Sequence, residues 1–145
     1  MKPDVRLLAI DVGLRLGWAA FGADGRLLAY GSRHFGTRGA LRRAVPRILA
    51  EYPALRTLVV EGGGDLAKPW EKEAARRGIA YRRTHGEAWR GSTMPPSRRR
   101  SGEAAKETAD ELARAFIERS GAPKPTSLRH DAAEAILVGL WALGR

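Results

Sequence analysis

A chain of 145 residues with a formal net charge of +10 has room for one hydrophobic core, not for separate catalytic and binding domains. It contains no cysteine, which excludes disulfides and thiolate metal sites and leaves oxygen and imidazole as the available ligands. No apolar stretch approaches the roughly 18 residues of a membrane span, and the first residues carry charges around a short apolar run without a small-residue cleavage site, so a cytoplasmic protein with no membrane partner is expected.

The excess charge is mostly arginine, and a polyanion is its natural partner; solubility or a G+C-rich genome is the competing explanation. Asparagine and glutamine are absent and methionine is scarce, as expected where thermolabile residues are disfavoured, so a thermophilic source is expected.

Residues Val5–Val12 form an apolar run fit for a strand buried on both faces, broken by Gly13. Leu16–Phe21 and Arg26–Gly31 are further strands, joined by Gly22-Ala23-Asp24-Gly25, which has hairpin-turn chemistry. Apolar residues recur at helical spacing between Thr37 and Tyr52, with Pro46 inside the pattern. A strand over Thr57–Glu61 ends in three glycines, Trp70–Arg77 reads as a helix, and Ile79–Arg83 as a short strand with one wet face. Thr84–Ser101 has glycine, serine, Pro95-Pro96 and three consecutive arginines with little periodicity, and reads as a loop. Ser101 caps a helix running to about Arg119, and a last helix covers His130 to Leu143. The order predicts an α/β fold, a central mixed five-stranded sheet flanked by helices. One domain spans 1–145.

Carboxylates stand where apolar elements end. Asp11 closes the first strand and Glu61 the fourth, while Asp131 and Glu134 lie three apart on one face of an otherwise apolar last helix. Each acid alone has a structural explanation, as a helix-dipole partner or turn residue. Four of them converging would repel one another without a cation. Hard oxygen ligands suit Mg2+ or Mn2+, and a pair of such ions can support in-line hydrolysis of a phosphodiester. His130, one turn from Glu134, is a further candidate metal ligand or proton donor.

The segments IDVGLRLGWAAFG, LVVEGG and HDAAEAILVGLWAL resemble, in this order, the first strand and turn, the second acidic strand and the last acidic helix of RuvC-type Holliday-junction resolvases, in the RNase H-like superfamily. The likeness spans nearly the whole chain and points to a phage or thermophilic bacterial member. It implies an RNase H-like fold, a homodimer, four-way-junction DNA as substrate and two divalent ions per active site. By that match Asp11, Glu61, Asp131 and Glu134 take the catalytic metal-ligand positions, with Glu134 where members more usually carry the shorter Asp. Arg90 and Lys106 look similar in placement to basic residues that grip phosphate beside the metals, and Trp70 to an aromatic that stacks on an unpaired base; packing of its own helix is the alternative for Trp70.

Between Arg76 and Arg100 there are eight arginines and one acid, Glu87. Arg76, Arg77, Arg82, Arg83, Arg90, Arg98, Arg99 and Arg100 are therefore candidate nucleic-acid contacts, which position phosphates without reading sequence. Trp18 and Trp141 lie in apolar patterns and are expected in the core; Trp89 is undecided. Two alternatives to a junction nuclease stay open: an RNase H-like nuclease for RNA/DNA hybrids or flapped DNA, and a non-catalytic basic nucleic-acid-binding protein.

Overall fold

The computed structural model describes residues 2–98 and 101–145. Three strands, β1 (Val5–Asp11), β2 (Arg15–Gly22) and β3 (Leu27–His34), precede helix α1 (Arg38–Ala50). Then come β4 (Thr57–Glu61), α2 (Lys68–Arg77), β5 (Ala80–Thr84), α3 (Gly86–Thr93), α4 (Gly102–Ser120) and α5 (His130–Ala142). The strands form one mixed sheet in the order β3-β2-β1-β4-β5, antiparallel among the first three and parallel from β1 through β4 to β5. The expected five-stranded α/β architecture is thus present.

The hairpin between β2 and β3 closes as its residues predict. Gly25 adopts φ 82°, and its N–H donates to the Gly22 carbonyl at 3.0 Å, a left-handed turn position that glycine takes without steric cost. Thr37 and Ser101 cap α1 and α4, each hydroxyl accepting a hydrogen bond from the backbone N–H three residues on at 3.0 Å.

Alternation along the central strands divides the core into two layers. Leu8, Ile10, Leu58 and Val60 pack with α1 and α2, whereas Leu7, Ala9 and Val59 face α3, α4 and α5. The same period of two sends Asp11 and Glu61 to the α5 side. Helix α5 is buried from Asp131 through Leu140, lying between the sheet and α4. Its apolar residues Ile136, Leu137, Val138 and Leu140 are each worth about 1.5–3 kcal/mol on burial. Together they offset the cost of bringing Asp131 and Glu134 inward, about 1–3 kcal/mol for a neutral polar group and more for a charge. Two glycines permit the close approach: a Cβ on Gly17 would fall 1.9 Å from the Asp131 carbonyl oxygen, and one on Gly139 2.1 Å from the Phe21 ring.

Two expectations change. The segment expected to be a loop from Thr84 to Ser101 contains α3 and a 3-10 turn over Pro96–Arg98; its few apolar residues include two deep anchors, Trp89 and Met94, which are buried against the α4–α5 layer. The tryptophans also redistribute. Trp70 and Trp89 are fully buried, whereas Trp18 and Trp141, expected in the core, pack half-buried at its rim. Among the described residues no helix is long and apolar enough to cross a membrane.

Candidate metal centre

Strand register assembles the site. Ser32 pairs with Gly17, Gly17 with Asp11, Asp11 with Glu61, and Glu61 with Thr84, so one row, Ser32–Gly17–Asp11–Glu61–Thr84, runs across all five strands at one end of the sheet. Helix α5 begins over this row, with the Asp131 backbone resting on Gly17.

Carboxylate oxygens of Asp11, Glu61 and Glu134 lie within 4.8 Å of one another. Asp131 is near but outside this group. Its Oδ1 accepts hydrogen bonds from the Ser32 hydroxyl at 2.7 Å and the Ala132 N–H at 3.0 Å. Its Oδ2 is buried with no hydrogen-bond partner among the described residues. His130 also stands outside the group and contacts Glu134, Nε2 to Oε1 at 3.3 Å. The same Glu134 oxygen pairs with the Arg90 guanidinium from α3, and Glu61 accepts from the Trp89 indole N–H at 3.5 Å.

The electrostatics follow from this crowding. Burial, then a hydrogen bond to Glu61, then the charges of Glu61, Glu134 and Asp131 push the Asp11 carboxyl up from 3.8 to about 10. Two carboxyls hydrogen-bonded to each other must share a proton, and the third acid opposes ionisation of either. A cation among these oxygens removes that conflict. The residues therefore fit a divalent metal on two counts, an all-oxygen donor set of hard ligands and an orphaned buried oxygen at Asp131 beside it. Asp11, Glu61 and Glu134 are the residues whose oxygens could share one ion; Asp131 and His130 stand next to them.

The basic residues named from sequence scatter. Trp70 is withdrawn as a stacking residue: it is fully buried in the α1–α2 layer and offers no ring face to a base. Arg76 and Arg77, named as nucleic-acid contacts, share one acidic partner in the fold. Both donate to the Glu73 carboxylate, at 2.5 and 2.6 Å. They end α2, whose return across the sheet leads into β5 at Ala80, opposite Thr57 and four residues from Glu61, roughly 13 Å along the strand. Arg82 and Arg83 sit closer. The Arg83 Nε donates to the Gly62 carbonyl at 3.0 Å, and Arg82 lies 4.8 Å over the Trp141 ring and donates to the Ala142 carbonyl. Arg98 pairs with Glu111, Lys106 is exposed on α4, and Arg99 and Arg100 lie outside the described residues.

The sequence gives three contributors no role at the site: Ser32 is not named, Trp89 is undecided, and Gly17 stands only within the resembling segment. Ser32 and Trp89 orient Asp131 and Glu61, and Gly17 admits α5. A serine in a strand carries no local signal of such a role, although Gly17 beside an aromatic on an interior strand marks a close approach. No model of a known protein family matches the chain, and no curated protein is significantly similar to it.

Proposed function

We propose that this protein is a divalent-metal-dependent endonuclease of the RNase H-like superfamily, similar to the RuvC-type resolvases, which cuts four-way DNA junctions as a homodimer. The observation that carries the reading is the meeting of Asp11, Glu61 and Glu134, far apart in the chain, within 4.8 Å on a protein of charge +10. The ordered sheet with its acids at the ends of adjacent parallel strands β1 and β4 also supports it. A two-fold dimer would offer two such sites in the symmetry of the junction itself.

Asp11, Glu61 and Glu134 would hold Mg2+ or Mn2+. When bound, such an ion supplies charge neutralisation at the scissile phosphate and eases ionisation of the attacking water. The chain's own residues do the rest. Trp89 fixes the Glu61 carboxylate, Ser32 fixes Asp131, and the buried α5 sets the depth of Glu134. Arg90, stacked 5.0 Å over the Trp89 ring, is placed to exchange its pair with Glu134 for a phosphate oxygen once Glu134 is engaged elsewhere.

The Arg90–Glu134 pair favours a second reading, a non-catalytic nucleic-acid-binding protein in which Arg90 itself supplies the cation. One experiment separates them. An immobile four-way junction, duplex, flap and RNA/DNA hybrid are incubated with the protein in Mg2+, Mn2+ or EDTA. The proposal expects metal-dependent symmetric nicks in the junction; cleavage confined to hybrid or flap moves the protein to another RNase H-like activity, and binding without cleavage in either metal rejects the enzyme.

A further inference from the structure

We propose that a pocket at the open edge of β3, lined by Arg15, Ser32, Arg33, His34 and Arg129, binds a backbone phosphate of nucleic acid and carries the substrate past the acidic row on the side away from β5. The proposal rests on the nucleic-acid part of the reading above and not on cleavage. The pocket has a volume of about 200 Å³ and gathers three arginines and a histidine with no carboxylate in its lining. Register explains the gathering. Arg15 pairs with His34 and Leu16 with Arg33 across β2 and β3, while Arg129 stands immediately before α5, where the helix enters over the same edge.

These guanidinium groups are available. Among the described residues none of Arg15, Arg33 and Arg129 forms an ion pair, and all three are exposed. Arg33 lies 5.0 Å over the Phe35 ring, a contact that steadies the side chain without neutralising it. The positive end of the α5 dipole adds to the same field. Like charges collected in one concavity repel one another until an anion enters, so the arrangement is suited to a phosphodiester, which arginine can grip with two parallel hydrogen bonds.

Four larger pockets, of about 460, 420, 280 and 230 Å³, do not compete for this role, because each includes an acid in its lining: Asp24, Asp65, Glu51 and Glu118 respectively. The β3 pocket has none and still touches the acidic row, since Ser32 lines it and donates to Asp131. A polymer held in the pocket by one phosphate has a path along Ser32 toward Asp131 and the row, which a free anion or a lone phosphorylated side chain does not require. That continuity favours nucleic acid as the occupant.

The test is equilibrium binding of a labelled four-way junction in EDTA, so that cleavage does not intrude, titrated with salt. The double variant Arg15→Gln/Arg129→Gln, at exposed positions, is expected to melt like the parent, to bind about tenfold more weakly, and to lower the slope of log affinity against log salt by about one to two. Arg33→Gln should act in the same direction. Unchanged affinity and slope in the double variant, with clear weakening in Arg82→Gln/Arg83→Gln, overturns this pocket and leaves the nuclease reading standing. A parent protein that binds no DNA overturns both. Inorganic phosphate raising the melting temperature of the parent but not of the double variant, with equal DNA binding by the two, marks a site for free anions and also overturns the proposal.

Discussion

The two sides of the acidic row use arginine differently. Along the arginine-dense stretch that includes β5, the described guanidinium groups are largely engaged: Arg76 and Arg77 with Glu73, Arg90 with Glu134, Arg98 with Glu111, and Arg82 and Arg83 with backbone carbonyls. On the β3 side Arg15, Arg33 and Arg129 come from three separate stretches of chain and share one pocket without a counter-charge. Arginine density along a sequence is therefore a poor measure of positive charge offered to a ligand. What counts is whether folding has brought a carboxylate or a carbonyl oxygen to each guanidinium.

The strongest way to probe that contrast is to remove the negative charge between the two sides. Asp11→Asn or Glu61→Gln should lower the cleavage rate by about two to three orders of magnitude, the scale of losing one electrostatic contributor to a transition state. Junction binding should be intact or tighter, since less negative charge then faces the phosphates. Gel assays of both quantities check this, and equal loss of cleavage and binding in a folded variant speaks against the metal centre.

Ser32→Ala cuts the link between the β3 pocket and the row. With its hydrogen bond to Asp131 gone, cleavage should fall about 10- to 100-fold, the usual cost of losing a group that orients a metal site, while the salt dependence of binding stays as in the parent. A parallel drop in binding would mean that Ser32 acts on phosphate directly.

The row also predicts a dependence on pH. The folded protein holds on Asp11 a proton that the unfolded chain releases above 3.8, because burial first and the neighbouring carboxylates next raise this group to about 10. The native state thus binds more protons than the unfolded state across that window, and without divalent metal this group's contribution to stability is lost as pH rises through it. A cation displaces the proton. The rise in melting temperature caused by Mn2+ over EDTA should accordingly grow with pH from about 6 to 9; calorimetry showing a flat or shrinking difference would contradict the assignment of Asp11 as a ligand.

The smallest effect is expected at the residues most prominent in the sequence. Arg76→Gln/Arg77→Gln should leave junction affinity within about twofold, because both groups are spent on Glu73 far from the row. A loss as large as that of the β3 double variant would erase the distinction between the two sides.

Much of the scaffold was legible before the structure. The cap at Ser101, the turn at Gly22–Gly25 and the apolar runs of β1 and β4 are local signals, each read from a few neighbouring residues. The α3 helix was not legible, since its placement depends on Trp89 and Met94 entering a layer built by α4 and α5.

By itself the sequence determined the order of elements and the placing of acids at strand ends and on an apolar helix, because propensity, capping and alternation act over a few residues. Only the tertiary structure decided how those acids divide, with Asp11, Glu61 and Glu134 together and Asp131 turned to Ser32, and which arginines stay free. These outcomes rest on pairs 99 residues apart, as for Ser32 and Asp131, or 44 apart, as for Arg90 and Glu134. Contacts at such separations are set by strand register and helix packing, which no local pattern encodes.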